Sequence, residues 1–569
     1  MSPFVKQIEG LQLHLQAIAE LDSIIATEKF SHVDREMIDM MLDQSARFAE
    51  EKLAPLAESG DLCGCTLTDG SVSLPPGTKE VYQEWCELGF PALGLPMDFE
   101  GMDFPNIVQS SVQEILDGAN MAFGMLGINL RCAARALIAN ASEELVQRWV
   151  PGLVSGEIAS TIVISEPQAG SDVGRIRTTA TPADDETWHI NGSKIWISYG
   201  DHDATSQIIH LVLARVPSDE IGTRALGLFA VPKLLDNQQL NNVLTSRLEH
   251  KMGLHGSPTC VLDFDNAEGV LVGEAGKGLQ ALFIMMNGMR LAVGVQGSAV
   301  ANVATLRALE YACERPQGGR PDAAPVMISE HADVKRMLLE MTAKSEMIRA
   351  LALRTAAYLD LADASEDDAK AERYLRLGEL LLPLAKTVGS ETAFQVASQG
   401  IQVLGGYGYT HDYPIERMAR DIRVSSIYEG TSGIQALDFM KRKVLGDQGE
   451  TLRALLDIIR TDTANTETAN PLKPGVAMLI EQMEILLDEL LMKVVSDRKS
   501  IEAGAYHFLN FSGLLVNHWL GMLLFNSADG ESDYRKRLQA ALTLAATGLE
   551  EEGLLLARLS RQQGPEFSL

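Results

Sequence analysis

The chain is 569 residues long, 46% hydrophobic and 22% charged, with a formal net charge of −29; the length corresponds to about four domains and the composition to a folded globular protein rather than a disordered or fibrous one. The acidic balance argues against nucleic acid or an anionic membrane face as the main partner. Six cysteines in so long a chain do not make a disulfide framework, and the close pair Cys63-Gly64-Cys65 has no second pair nearby to complete a metal site. The N-terminus lacks a charged-then-apolar leader pattern. No apolar run reaches the ~20 residues needed to span a bilayer, and the apolar stretch 282–289 ends at Arg290. The expectation is a cytoplasmic protein without a membrane span, its cysteines plain thiols.

Leu11, Leu13, Leu15, Ile18, Leu21, Ile24 and Ile25 recur at helical spacing and predict a helical extension over residues 1–35. Segments 36–56, 80–88 and 107–141 read as further helices, with a loop rich in Gly, Pro, Thr and Asp over 59–76. Pro151 opens a new segment, which makes 36–155 an N-terminal α domain. The period then changes. Residues 158–164 are a β-branched run, and 187–197 place Asn191-Gly192 between Trp188-His189-Ile190 and Ile195-Trp196-Ile197, a hairpin signal. With strands over 207–216, 226–232 and 259–264, residues 156–275 read as a middle β domain, a small barrel or sandwich. Helical periodicity returns over 278–313, 331–360, 367–399 and 432–443, predicting an up-and-down four-helix bundle for 276–445. A polar linker over 461–474 lies within an additional C-terminal helical domain, 446–569, built from helices over 450–461, 475–503, 505–525 and 533–561. The fold class is mainly α with a central β domain.

Familiar nucleotide signatures do not fit. Gly273-Glu274-Ala275-Gly276-Lys277-Gly278 lacks the Gly-Lys-Ser/Thr ending of a phosphate loop and reads as the β-to-α junction. No Gly-x-Gly-x-x-Gly follows a strand, which disfavours a nicotinamide enzyme. The informative stretch is Ile427-Tyr428-Glu429-Gly430-Thr431, where Gly430 permits a turn that lets a ligand approach the main chain. Upstream, in order, stand Ser165-Glu166-Pro167-Gln168-Ala169-Gly170-Ser171-Asp172, Lys194-Ile195-Trp196-Ile197-Ser198 and Leu404-Gly405-Gly406-Tyr407-Gly408-Tyr409. Together these resemble the acyl-CoA dehydrogenase family of flavoenzymes, over about residues 36–445. The domain order of α domain, β domain and α bundle is also that family's. The added N-terminal helices and C-terminal helical domain resemble its longer bacterial subgroup, which includes the 3-methylthiopropanoyl-CoA dehydrogenases.

The resemblance implies an FAD-dependent α,β-dehydrogenation of an acyl-CoA thioester to a trans-2-enoyl-CoA, with electron-transfer flavoprotein as the electron acceptor. A short or medium acyl-CoA such as 3-methylthiopropanoyl-CoA is the implied substrate. Glu429 is the implied base for the α-proton, with Tyr428 and Gly430 flanking the thioester and Arg290 near the CoA end. Ser165 and Ser198 match hydroxyl donors to the flavin ring, Trp196 an aromatic lying against it, and Ile162 and Ile164 residues whose backbone meets its pyrimidine end. Gly170 and Ser171 match a turn that touches both flavin and CoA, with Gln168 where many members have Gly. Arg315, with Gln317 following it, matches an arginine that binds the FAD pyrophosphate of a neighbouring subunit; Gly318-Gly319-Arg320-Pro321 departs from the usual continuation. Gln402, Val403 and Gly406 match the segment completing that site, and Thr431 a further FAD contact. The implied assembly is a homodimer or dimer of dimers. Met121, Met125, Leu126 and Leu130 could line the pocket floor or fill the core. A flavin acyl-CoA oxidase and a catalytically weak DNA-associating member of the superfamily are the alternatives; the second leans on a basic C-terminal domain, whereas acidic residues outnumber basic ones after 446.

Overall fold

The computed structural model describes residues 2–183, 187–493 and 498–561. The chain divides into two compact units, one comprising residues 1–47, 105–118 and 290–569 and the other residues 48–104 and 119–289. The helix Asn106–Asn140 leaves helical geometry at Asn120 (φ −152°, ψ 86°). There the Asn120 Oδ1 accepts from the Phe123 N–H at 3.0 Å, capping the turn that resumes.

The smaller unit contains the β domain. Its strands Ile158–Val163, Thr179–Pro182, Thr187–Ser198, Gln207–Arg215, Leu226–Pro232, Val243–Leu248 and Thr259–Val272 form one seven-stranded sheet. Pairing of Gln207–Arg215 with Leu226–Pro232 closes the sheet on itself, so the domain is a barrel. Val163, Ile190, Val212, Phe229, Leu262 and Phe264 are among the side chains that fill it. Asn191-Gly192 is not a hairpin turn. Thr187–Ser198 is one continuous strand between Thr179–Pro182 and Thr259–Val272, and its register slips at Gly192 and again between Lys194 and Ile197. Asn-Gly suits a bulge as well as a turn, because both ask for backbone angles that glycine tolerates. A Cβ at Gly192 would lie 2.4 Å from the Thr178 hydroxyl, so the strand also needs glycine there for room.

Helical segments of this unit depart from the sequence reading in two places. The stretch 59–76 is not a plain loop: the helix Ala54–Cys63 runs into it, and Thr66–Thr68 pairs with Ser71–Ser73. Asp69-Gly70 makes the turn with both residues left-handed (φ 51° and 80°), the Asp-Gly hairpin chemistry. Pro151 does not open a segment but lies inside the helix Glu143–Ser155, whose Trp149, Val150 and Leu153 are buried around it.

A buried ion pair organises the barrel end. Lys194 is fully buried and its ammonium donates to the carbonyls of Ile164 (2.8 Å) and Leu213 (2.8 Å) and to Glu166 (3.0 Å). Glu166 also accepts from the Arg177 N–H (2.7 Å), the Thr178 N–H (2.9 Å) and the Gln168 amide (2.6 Å). Burial pushes the Glu166 carboxyl up, but Lys194 and these donors together hold it at about 2. Burial draws Lys194 down to about 8 against the pull of Glu166, so the pair remains ionised at neutral pH.

In the larger unit the long helices Ala332–Asp363 and Asp368–Leu404 pack with the later part of Gly278–Glu314. Two glycines set one helix crossing: a Cβ at Gly297 would lie 2.6 Å from the Gly389 carbonyl oxygen, and one at Gly294 3.1 Å from the Ala385 backbone. The terminal helices share this core rather than forming a separate one, since Leu13 and Ile18 pack in the same cluster as Leu351, Leu384, Phe508 and Trp519. Residues 461–474 are not a loose linker either. The helix Glu450–Asn465 covers the first part, Leu472 is fully buried, and the Asn470 amide donates to the Met522 carbonyl (3.0 Å) and to Asn526 (2.8 Å). The helix Arg498–Ser527 is continuous across 503–505, and the earlier break expected there does not exist.

One charge cluster ties these additions to the bundle. Arg349, almost wholly buried, pairs with Glu114 at 2.5 Å and Glu346 at 3.0 Å. Glu346 also accepts from the Tyr534 hydroxyl of the helix Asp533–Ala545 (3.0 Å). Its main-chain carbonyl meets His14 Nε2 of the helix Ile8–Ala17 at 3.1 Å.

Among the described residues, three helices are long and apolar enough to cross a membrane by length and composition, although none of them is an unbroken apolar run. They are Asn106–Asn140, Gly278–Glu314 and Glu502–Ser527, and 83%, 61% and 78% of their most apolar windows are buried inside the fold. Small polar residues interrupt the apolar run in the sequence without lowering the average below that of a span.

Arg349→Leu, which strands two buried carboxylates, is expected to cost about 3–5 kcal/mol in denaturant unfolding. Lys194→Met is expected to cost a similar ~3–5 kcal/mol at pH 7. Because Glu166 is held at about 2 against an ordinary 4.5, its contribution is complete above pH 4.5 and is lost as the pH falls toward 2. The deficit of Lys194→Met should therefore narrow over that window, and a deficit independent of pH would contradict the assignment.

Candidate active site

Glu429 and Gly430 are two successive left-handed residues (φ 53° and 92°). Glycine adopts this freely; a glutamate held there stores roughly 1–3 kcal/mol of strain and must be fixed by its surroundings. The fixing groups are visible. The Gln435 amide donates to the Glu429 carbonyl (2.8 Å) and the Lys386 ammonium to the Gly430 carbonyl (2.7 Å). Thr431 caps the helix Ser432–Asp438, its hydroxyl oxygen accepting from the Ile434 N–H at 3.4 Å. The Tyr428 hydroxyl donates to the Gln296 side-chain oxygen. The Glu429 N–H meets no acceptor among the described residues.

The loop's electrostatics follow from burial. Burial pushes the Glu429 carboxyl up, while Lys386 and Arg290 pull it down, and the net direction is upward. Burial also raises the Tyr428 phenol, with Asp117 and Glu429 adding to it, so that Tyr428 stays neutral. Arg290 is buried and pairs with Asp438 at 2.8 Å. Its charge reaches Glu429 while its guanidinium is engaged by that carboxylate.

Elsewhere in the same unit, Arg315 and the segment 402–406 converge. The Arg315 guanidinium lies over the Tyr407 ring, 5.7 Å from its centroid, and Tyr407 meets Tyr311 and Tyr413. Arg315, Gln317, Gln402 and Gly406 are exposed, whereas the Val403 side chain is in the core. A Cβ at Gly405 or Gly406 would meet nothing within 4 Å, so the backbone there is open to a ligand. The Gln317 N–H donates to the Val326 carbonyl and its own carbonyl meets His331 Nε2, which fixes the segment carrying Arg315.

The smaller unit gathers the residues matched to a flavin ring. The bulge between Lys194 and Ile197 puts Trp196 in a left-handed conformation (φ 65°) and leaves it 59% exposed, so it is not a core tryptophan. Ile195 N–H donates to the Ser165 carbonyl at 2.9 Å, joining that stretch to the 165–171 turn. Ile162 lies half-buried in the strand opposite Leu211, and the Ile164 carbonyl is taken by Lys194. Glu166 and Ala169 exchange two backbone hydrogen bonds of 3.0 Å, closing the turn so that Gly170 and Ser171 project into the open. Ser198 is half-buried at the strand's end. Met121, Met125, Leu126 and Leu130 are all buried in this unit.

Each group by itself suits a part of a flavin dinucleotide: in the smaller unit an exposed aromatic face suits the ring, and in the larger unit an arginine over the Tyr407 ring, which follows the open backbone of Gly405 and Gly406 in the chain, suits phosphates. Lys386 and Gln435, which hold the Glu429 loop, were not found from the sequence. The available signal was Lys386 itself, a lone cation in register with Leu382 and Ser390 on the buried stripe of Asp368–Leu404. Glu166 and Lys194 stood in the motifs without a role, and the structure makes them the brace for both.

Comparisons with known proteins agree with this geometry. Residues 35–157, 161–267 and 276–444 match the models of the acyl-CoA dehydrogenase N-terminal, middle and C-terminal domains. The chain is 38% identical over 526 residues to the 3-methylmercaptopropionyl-CoA dehydrogenase of Ruegeria pomeroyi, covering 90% of this chain and 89% of that protein. It is 34% identical to a broad-specificity linear acyl-CoA dehydrogenase of Mycobacterium tuberculosis, covering 91% and 90%. The fold matches an acyl-CoA dehydrogenase of Bacillus anthracis complexed with FAD, with a TM-score of 0.77, 21% identity and coverage of 94% and 90%. The chain therefore belongs to the acyl-CoA dehydrogenase family and is an FAD-dependent oxidoreductase of acyl-CoA thioesters.

Proposed function

We propose that Glu429 is the base that removes the α-proton of a short acyl-CoA, 3-methylthiopropanoyl-CoA being the favoured substrate. The observation that carries this reading is a carboxyl held in a left-handed turn, raised by burial, and flanked by carbonyls that are each tied to a fixed donor. An α C–H beside a thioester is a very weak acid. A carboxylate raised above the ordinary range is a stronger base than one in water, and it needs no reorganisation if its loop is already fixed. The Glu429 N–H, free of a protein acceptor among the described residues, is available to the thioester oxygen as negative charge develops there. Tyr428 and Gly430 then border the thioester, Tyr428 as a neutral phenol.

FAD, when bound, supplies the acceptor for the hydride that leaves the β carbon, which no side chain provides. Trp196, Ser165, Ser198, Ile162 and Ile164 would hold its ring, and Gly170 and Ser171 the adjoining chain and the substrate's pantetheine arm. Arg315, Gln317, Gln402, Val403 through its main chain, and Gly406 would hold the pyrophosphate. The exposure of Arg315, Gln317, Gln402 and Gly406 suits a site that serves a second copy of the chain, which favours a homodimer or dimer of dimers. We read electron-transfer flavoprotein as the acceptor of the electrons, and the cytoplasm as the compartment. The substrate preference is supported by similarity along nearly the full length to the Ruegeria pomeroyi enzyme.

Glu429→Gln is expected to keep FAD bound and to slow anaerobic flavin reduction by 3-methylthiopropanoyl-CoA by about 10²–10⁴-fold; reduction at the wild-type rate would overturn the assignment. Because the base must be ionised and its carboxyl is raised, the wild-type rate should rise with pH along a limb centred above 4.5. A rate already flat at and below pH 4.5 would contradict that.

A further inference from the structure

We infer that Lys386 is a positioning residue for the base: its ammonium fixes the Gly430 carbonyl and supplies the positive charge that keeps the Glu429 carboxylate ionised between turnovers. The inference rests on the reading of Glu429 as the base and assigns a part of that site outside its loop.

Fastening a carbonyl does not by itself call for a charge. The neighbouring Glu429 carbonyl is held by the neutral amide of Gln435 at 2.8 Å. The Gly430 carbonyl is held instead by an ammonium at 2.7 Å on a side chain with no solvent exposure. Burying an ammonium is costly unless an opposite charge compensates it. Lys386 faces two carboxylates and one cation, on other elements and on its own helix. Glu429 and Glu391 favour its charged form, and Arg290 opposes it. Glu391 is further engaged by the Ser432 hydroxyl at 2.7 Å. Arg290 is balanced by Asp438 at 2.8 Å, which also meets the mostly exposed Arg442 at 3.2 Å. With Arg290 matched in this way, Lys386 is the cation that answers Glu429.

The helix crossing accounts for the placement. Gly294 packs on Ala385, the residue before Lys386, and Gly297 on Gly389. This brings the helix bearing Arg290 against the helix bearing Lys386, with only the Ala385 methyl beside the two backbones at those contacts. Burial lowers Lys386 to about 8, so it carries its charge at neutral pH while lying close to its own titration. When Glu429 takes the α-proton it becomes neutral and Lys386 loses one of the two carboxylates that compensate it, Glu391 alone remaining. That imbalance favours release of the proton to solvent and return of the carboxylate.

The test compares FAD-loaded wild type, Lys386→Met, Lys386→Arg and Gln435→Met. Anaerobic flavin reduction by 3-methylthiopropanoyl-CoA, or butanoyl-CoA if that reacts faster, is followed across pH. Amide exchange of the peptide covering 428–431 is measured without substrate. In Lys386→Met the acid limb of the rate should move up by about one unit or more, and exchange at 428–431 should quicken. Lys386→Arg keeps the charge and should keep the limb, with a slower rate from a displaced donor. Gln435→Met should loosen the loop without moving the limb. An unmoved limb in Lys386→Met, or an equal shift in Gln435→Met, overturns the inference. If Lys386→Met does not fold, Lys386→Arg decides: a wild-type limb supports the inference and a raised limb overturns it. Wild-type reduction by Glu429→Gln would instead remove the base reading on which the inference stands, whereas an inactive Glu429→Gln with an unmoved limb in Lys386→Met defeats this inference alone.

Discussion

A carboxylate that must act as a base on a weak carbon acid has to be kept out of water and still kept ionised. These demands oppose each other, because burial favours the neutral acid. With Glu429 as the proposed base, the conflict is met by geometry around one turn. Glu429 sits in a conformation that glutamate does not choose, its own carbonyl and the next are each held by a donor from outside the loop, and two cations face it. The helix crossing at Gly294, Gly297, Ala385 and Gly389 puts those cations where they are. Enlarging a glycine at that crossing would act on the proposed chemistry through Lys386 and Arg290, although none of the three has a loop atom among its nearest neighbours.

The same economy of buried charge recurs. Lys194 and Glu166 between them satisfy carbonyls and N–H groups from three separate stretches, and so tie the bulge bearing Trp196 to the turn bearing Gly170 and Ser171. Arg349 joins Glu114 and Glu346 and, through Glu346, reaches Tyr534 and His14. That last cluster gives the additional terminal helices a physical place. They complete the apolar core around Leu351, Leu384 and Trp519 instead of riding on a finished domain.

Much of the fold was legible because its periods are long and clean. The helices at 278–313 and 367–399 and the strands at 207–216 and 226–232 were marked by apolar spacing alone, and the motifs identified the family before any geometry. What failed were positions where one residue type serves two structures. Asn191-Gly192 has the chemistry of a hairpin turn and of a bulge, and only the pairing of both flanks with Thr259–Val272 decides between them. Pro151 punctuates a sequence but is tolerated inside a helix whose neighbours are buried. Asp69-Gly70 marked a real hairpin that the polar composition around it concealed. At the site, Glu429, Trp196 and Arg315 could be found because their motifs are local. Lys386 and Gln435 act on the loop from outside it, Lys386 from a helix more than forty positions away in the chain, and a lone lysine on an apolar helix does not name the carbonyl it meets.

The central claim is that this chain uses a half-buried carboxylate, Glu429, to begin dehydrogenation of an acyl-CoA. It is tested most directly by adding acyl-CoAs, from butanoyl and 3-methylthiopropanoyl to hexadecanoyl, to the purified FAD-loaded protein without oxygen and following the visible spectrum. The account predicts that the short thioesters bleach the flavin, 3-methylthiopropanoyl-CoA fastest. A flavin that is fully bound and bleached by none of them would contradict it.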